Sequence, residues 1–211
     1  MRNKAWTAFL ALSVIAVTAT AADACSRNVS AKAAQTYVPA KNINQSLLDD
    51  AIRVEVNYHR CRAGLSALGD AGNSLTEQAK KHSNWMARTQ NLSHKSNVAG
   101  HATLSQRIKR SGVKFRTGAE NIGMVHRYQI DNKRFRIIDS SACKFATSEG
   151  QTLPAHSYAS LARHSVNLWM QSPGHRKNIL DRRMKAISSA GAFDGKSQYC
   201  GRFFLTQNFI G

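Results

Sequence analysis

Acidic side chains are scarce in this chain. Of its 211 residues, 12 are Asp or Glu and 30 are Lys or Arg, which gives a formal net charge of +18. A field of this sign favours polyanions such as lipopolysaccharide, anionic lipid, teichoic acid or nucleic acid. The basic residues are spread along the chain and no nucleic-acid-binding motif is present. We therefore expect an envelope polyanion or a merely solvated basic surface, and no specific nucleic acid.

Long hydrophobic runs are also missing beyond the N-terminus. No later run approaches the roughly 20 apolar residues of a transmembrane helix, so we expect no transmembrane segment. The apolar stretch at residues 5–17 is shorter, follows a basic start and precedes small residues. An A-x-A pattern at 22–24, with 19–21 as a second candidate, fits a cleavage site. We predict a signal peptide over residues 1–24 and an exported protein, periplasmic or extracellular.

Cysteine is limited to Cys25, Cys61, Cys143 and Cys200, and no C-x-x-C pair exists, which argues against a zinc finger. In an exported chain, four cysteines predict two disulfides, with three pairings to choose from. We favour Cys143–Cys200, which leaves Cys25–Cys61. Because Cys25 directly follows the predicted cleavage site, an N-terminal lipid anchor is the alternative, and it would leave one cysteine over.

Regular secondary structure is predicted by periodicity and end signals. Residues 25–45 lack periodicity and form an extended lead-in, and residues 46–211 form one domain with an insertion loop at about 127–157. Apolar spacing and cap residues predict helices over 44–63, 75–91, 104–111 and 158–170, with another starting at Ser172-Pro173. We predict strands over 118–125, 185–193 and 201–209, and a further one at about 135–138. This order indicates an α+β fold with an antiparallel sheet between helical layers.

The motifs of common hydrolases are absent, since the chain has no G-x-S-x-G elbow, H-E-x-x-H pair or phosphate-cradling loop. Three polar residues instead lie where predicted elements begin or end, namely His94, Glu120 and His175. Two converging imidazoles can bind zinc or another divalent metal. A carboxylate beside them can complete the site, orient a ring or act as a base. The alternative is a structural His–Glu hydrogen bond that satisfies a buried carboxylate.

Five motifs occur in the order found in bacterial proteins of the CAP superfamily, the relatives of cysteine-rich secretory, antigen 5 and pathogenesis-related 1 proteins. They are Asn57-x-x-Arg60, NLSH at 91–94, GAENI at 118–122, WMQSPGHRKNIL at 169–180 and TQNF at 206–209. The sequence resembles this family over residues 47–211 outside the insertion. The resemblance implies a three-layer α-β-α sandwich whose central cleft carries His94, His175 and the acid Glu120. A second acid, common after the tryptophan in eukaryotic members, is missing here.

Three functions remain open from the sequence. The first is an exported binding module whose cleft holds a metal ion, small molecule or lipid. The second is a metal-assisted hydrolase in which Glu120 is the candidate catalytic base and His94 and His175 hold the metal. The third is a polyanion-binding envelope protein with an idle cleft. Gln207 is expected either to line the cleft or to hydrogen-bond strand edges.

Overall fold

Six helices and six strands make up the described part of the chain, residues 25–211 of the computed structural model. The predicted signal peptide lies outside these residues. The helices are α1 Ala31–Gln35, α2 Gln45–Arg62, α3 Asn73–Thr89, α4 Leu104–Ser111, α5 Tyr158–Gln171 and α6 Pro173–Ile179. The strands are β1 Gly69–Asp70, β2 Gly118–His126, β3 Phe135–Asp139, β4 Lys144–Thr147, β5 Ala186–Asp194 and β6 Arg202–Ile210. Every predicted helix and strand is present, with ends displaced by at most two residues, but the lead-in, predicted as extended, also contains helix α1.

The central sheet has the strand order β1-β5-β6-β2. Strands β5, β6 and β2 are antiparallel, as predicted, but the two-residue β1 pairs with β5 in parallel, so the whole sheet is mixed. Gly69 and Asp70 lie opposite Ala186 and Ile187. A strand of two residues is too short to show an alternating pattern in the sequence. Gly69 and Asp70 form a strand because they pair with β5. Within the described residues β2 is an edge strand, which leaves its outer side open to side chains from elsewhere.

Helices cover both faces of the sheet, which confirms the three-layer α-β-α arrangement. Alternate side chains along β6 point to opposite faces, as the pleat requires. Phe203, Leu205 and Phe209 belong to the larger core, which they share with residues of α2 and α5. Phe204 lies in the smaller core on the other face, together with Met86 of α3. Burial on both faces explains why the late strands are so rich in apolar residues.

Side-chain caps start four of the described helices, α1, α2, α4 and α5. The side chain of Asn44 caps α2 by accepting from the Leu47 N–H at 3.0 Å. At α4, Thr103 and Gln106 form a capping box, in which each side chain accepts from the other's backbone N–H. These caps satisfy N–H groups that have no partner inside the helix.

The start of α3 differs from the prediction. Ser74 and Glu77 have the spacing of a capping box, but the N-cap is Gly72, and it makes no side-chain hydrogen bond. Gly72 has a positive φ of 92° directly after β1. The pairing of β1 with β5 places the turn at Gly72, so Ser74 already lies inside the helix. Tertiary pairing therefore decides this boundary over local capping preference.

Both favoured disulfides are present, Cys25–Cys61 and Cys143–Cys200. The first ties the lead-in to α2, and its Cys25 sulfur is the atom that a lipid thioether would need. A lipid anchor at Cys25 is therefore incompatible with this structure. The second joins the insertion to the residues just before β6. No helix in the described part of the chain is long and apolar enough to cross a membrane.

Candidate functional site

Glu120 is the centre of the site and lies buried near the start of β2. Its side chain is 3% exposed. The fully buried Arg107 of α4 donates from Nη2 to Oε1 at 2.8 Å and to Oε2 at 2.7 Å. The same guanidinium also donates to three backbone carbonyls, those of His94, His101 and Ala102. A buried carboxylate is tolerated when it is paired and hydrogen-bonded in this way.

His94 lies over the outer side of this ion pair, in the loop between α3 and α4. Its Nδ1 is 2.9 Å from Oε1 of Glu120, and its side chain is 54% exposed. A carboxylate only accepts hydrogen bonds, so the His94 ring donates from Nδ1–H and keeps Nε2 as the acceptor in its neutral form. Glu120 thus sets both the orientation and the tautomer of the exposed ring.

His175 reaches the cleft from the other face of the sheet, on α6. Burial lowers the pKa of His175, and the nearby His94 lowers it further, so the ring is neutral at pH 7. Asn178 of α6 donates to the Glu120 carbonyl at 3.2 Å and to Oδ1 of Asn121 at 2.9 Å. These bonds hold α6 against the open edge of β2. The edge strand therefore lies between the two histidines.

Gln207 lies away from the opening of the cleft. It is fully buried on β6, and its Oε1 accepts from Nδ2 of Asn121 at 3.0 Å. Gln207 does not line the apolar cavity described below, and its Nε2 is buried with no hydrogen-bond partner among the described residues. The bond to Asn121 joins β6 to β2, which is one of the two roles expected for Gln207.

An apolar cavity of about 260 Å³ adjoins His175 along the β2 edge. Leu92 and Ile122 line it on one side, and Leu168 and Trp169 on the other. The indole of Trp169 donates to the Ile122 carbonyl at 2.9 Å. Gly123 permits this approach, because a Cβ there would lie 3.1 Å from the indole nitrogen. His175 thus lines a mostly apolar hollow, and His94 lies close enough to affect the charge of the His175 ring.

The sequence did not single out Arg107, Asn178 or the cavity. A signal for Arg107 exists in retrospect. Glu120 needed a buried cation, and Arg107 precedes the fully buried Ile108 in a short helix next in the chain to β2. Arg60, from the Asn57-x-x-Arg60 motif, donates to the carbonyls of Ser66, Ile179 and Asp181.

A catalytic zinc site with three protein ligands does not fit these residues. Both oxygens of Glu120 accept from Arg107. Between residues 25 and 211 no group of three or more His, Cys, Asp or Glu side chains is placed to hold a metal ion. His94 and His175 remain as a two-nitrogen donor pair, one ligand short of the usual protein set.

This geometry defines a class of protein: a three-layer α-β-α domain with two histidines and a glutamate at the edge of its sheet. The sequence model of the CAP family, described as the cysteine-rich secretory protein family, matches residues 54–209. The chain belongs to this family. No curated protein matched the sequence.

Three solved bacterial structures match the chain, and the one with a TM-score above 0.5 shows the similar fold. An extracellular protein containing an SCP domain from Bacillus anthracis has a TM-score of 0.52 and 23% identity, with 79% of this chain and 41% of that chain covered. An outer surface protein from Borrelia burgdorferi has a TM-score of 0.49 and 15% identity, with 75% and 89% covered. A cysteine-rich secretory protein from Staphylococcus aureus has a TM-score of 0.46 and 14% identity, with 82% and 40% covered. The chain thus spans about two-fifths of the Bacillus and Staphylococcus proteins.

Proposed function

We propose that this protein is an exported binding module that holds a small amphipathic molecule in the cleft, outside the cytoplasm. The observation that carries this proposal is the apolar cavity beside His175. Ligand sites typically combine an apolar hollow with a few placed polar groups. At about 260 Å³ this cavity is slightly smaller than the usual range of about 300–1,000 Å³, so its ligand is a short chain or a single ring.

The two imidazoles suit the polar end of such a ligand. The His175 ring is neutral at pH 7 because burial lowers its pKa. The Nε2 of His94 accepts a hydrogen bond in the neutral ring, since Nδ1 is held by Glu120. A ligand hydroxyl can donate to Nε2 of His94, and a ligand hydroxyl or carboxylate can accept from the ring N–H of neutral His175. The net charge of +18 adds attraction for a carboxylate.

Binding is favoured over hydrolysis because both carboxylate oxygens of Glu120 already accept hydrogen bonds within the protein. A general base must be free to take a proton from water or substrate. Here both carboxylate oxygens accept from Arg107, and one also accepts from His94. The second acid of many family members is absent after Trp169. The arrangement supports a role for Glu120 in positioning His94.

The test is calorimetry with straight-chain alkyl carboxylates of increasing length. We expect affinity to rise about fourfold for each methylene until the cavity is filled. Leu92→Asn, at the exposed rim of the cavity, should weaken binding about fivefold. The matched control Ile138→Asn, an exposed aliphatic residue on β3, should leave it unchanged. Affinity independent of chain length would refute the proposal.

Zinc titration tests the metal alternative directly. If the two imidazoles bind zinc, wild-type protein gives saturable heat that His94→Ala and His175→Ala each abolish. Equal heats in all three proteins would eliminate this pair as a metal site.

The basic surface supports a further, weaker association with envelope polyanions. We expect the protein to bind anionic lipid vesicles at low salt and to dissociate as ionic strength rises, because exposed charges are screened. Binding that does not depend on salt would show that charge is not responsible.

A further inference from the structure

A second and larger cavity, of about 450 Å³, lies away from the His94–Glu120 cleft. The lead-in contributes Val29, the insertion contributes Asp131 and Lys133, and α5 contributes Arg163 and His164. None of His94, Glu120 or His175 lines it. Its walls thus come largely from the two segments that the disulfides tie to the domain.

Two histidines face this cavity with unsatisfied nitrogens. His156 and His164 lie with their ring centroids 5.5 Å apart. His156 is 3% exposed, and its Nδ1 is 2.9 Å from the hydroxyl of Ser160. The Nε2 atoms of both rings are buried and have no hydrogen-bond partner among the described residues. Buried polar atoms are rarely left this way, so a missing partner is the first explanation to test.

Among the described residues, Asp131 is the acidic residue that lines this cavity, and its negative charge is already offset by neighbouring groups. It accepts from Nδ1 of His126 at 2.6 Å and from the His126 backbone N–H at 2.9 Å. Arg202 in turn donates to Nε2 of His126 at 3.0 Å. The charge of Asp131 is therefore offset by Arg202 through the intervening ring. His164 Nε2 is 3.9 Å from Asp131, which is beyond hydrogen-bond distance.

The cations around the cavity exceed the acids. Glu55 contacts Arg27 at 3.4 Å and Arg163 at 3.0 Å, so two guanidinium groups share one carboxylate. Lys133 forms no ion pair with any described residue. Two positive charges are left without a compensating acid in this part of the structure, one on Lys133 and one on the arginine pair. This excess favours an anion and disfavours a metal ion.

We propose that the cavity between the lead-in, the insertion and α5 binds a small oxyanion, a sulfate or phosphate group, held by Lys133, Arg163 and the His156–His164 pair. The Ser160 hydroxyl donates to the Ser157 carbonyl at 3.2 Å, so its oxygen accepts from Nδ1–H of His156. Protonation of His156 then adds an Nε2–H that can donate to the anion. Arg163 uses Nε for Glu55. Its Nη groups complete the site as bidentate donors to an oxyanion.

Binding at this site is coupled to proton uptake. Burial, together with nearby His164 and Lys133 and against the opposing charge of Asp131, lowers the pKa of His156 to about 4. Burial also lowers the pKa of His164, where Asp131 and Lys133 have opposite effects. Both rings are therefore neutral in the free protein at pH 7. An anion beside them raises both pKa values and so binds more tightly as pH falls.

The test is titration of the disulfide-bonded protein with sodium sulfate, followed by calorimetry and by NMR of the imidazole nitrogens. Sulfate is the primary probe because its charge is constant between about pH 5 and pH 8, the range in which histidines titrate. Inorganic phosphate is the second. We expect the His156 and His164 signals to shift while those of His94 stay in place. Affinity for sulfate should rise as pH falls.

Two lysine variants separate this site from the general basic surface. Lys133→Gln and Lys114→Gln remove the same charge from exposed positions, and only Lys133 lines the cavity. We expect Lys133→Gln to weaken sulfate binding about tenfold, as loss of one charge-assisted contact implies. Lys114→Gln should leave it unchanged. Equal weakening by both variants, or no shift at His156, would overturn the proposal. Zinc that moves both rings at lower concentration than sulfate would replace it with a metal site.

Discussion

Replacing Arg107 with methionine should lower the free energy of unfolding more than the same replacement at any exposed arginine. The change keeps an apolar stem of similar length and removes the guanidinium that holds both oxygens of Glu120. Glu120 then remains as a buried charge with His94 as its one side-chain partner. Breaking a buried pair from one side costs about 3–5 kcal/mol, mainly through the uncompensated charge. Three backbone carbonyls also lose a donor.

The assay is urea denaturation at pH 7 with the disulfides intact. We expect Arg107→Met to lower the free energy of unfolding by about 3–5 kcal/mol. The matched control is Arg183→Met, which breaks the ion pair of an exposed arginine with Asp181 and should change nothing measurable. The double variant Arg107→Met/Glu120→Gln should be more stable than Arg107→Met alone, because no charge is then left unpaired.

Either of two results would contradict the prediction for Arg107→Met. If Arg107→Met costs no more than Arg183→Met, the buried ion pair does not hold the cleft together. If the double variant is as unstable as Arg107→Met, the loss comes from the carbonyl bonds of Arg107 and not from the charge of Glu120. Near-ultraviolet circular dichroism of each variant, compared with wild type, checks that the folded states are alike.

Three further predictions concern pH and crosslinking. Burial raises the pKa of Asp49 to about 7. The proton on Asp49 therefore stabilises the folded state below about pH 4, and this contribution is lost as pH rises through 7. Asp49→Asn should flatten that part of the curve of unfolding free energy against pH. Burial and Arg107 lower the pKa of His82 to about 4, so its contribution is present above pH 6.5 and lost as pH falls through 4. His82→Gln should reduce that acid loss in urea midpoints, and an unchanged slope would contradict it. The Cys143→Ser/Cys200→Ser pair should cost about 2–5 kcal/mol and expose the insertion to proteolysis first; equal cleavage rates elsewhere would contradict this.

The elements of the fold were predictable because their signals are local. Helix α4 was predicted with the bounds that the structure has, since Leu104 follows a capping threonine and Gly112 ends the helix with a positive φ of 76°. The disulfide pairing followed from the same sequence, although only as the favoured one of three. His94, Glu120 and His175 were recognised as site candidates from five motifs in family order.

Tertiary structure alone decided how those residues are used. Arg107 and Glu120 are 13 residues apart and meet only because α4 packs against β2, so no periodicity pairs them. Gln207 was expected as readily in the cleft as between strands, and only the pairing of β6 with β2 places it beside Asn121. Both cavities have walls from segments far apart in the chain, and β1 is a strand only because β5 runs beside it. Apolar spacing and capping act over one or two turns, whereas enclosed space and buried charge pairs depend on which elements meet.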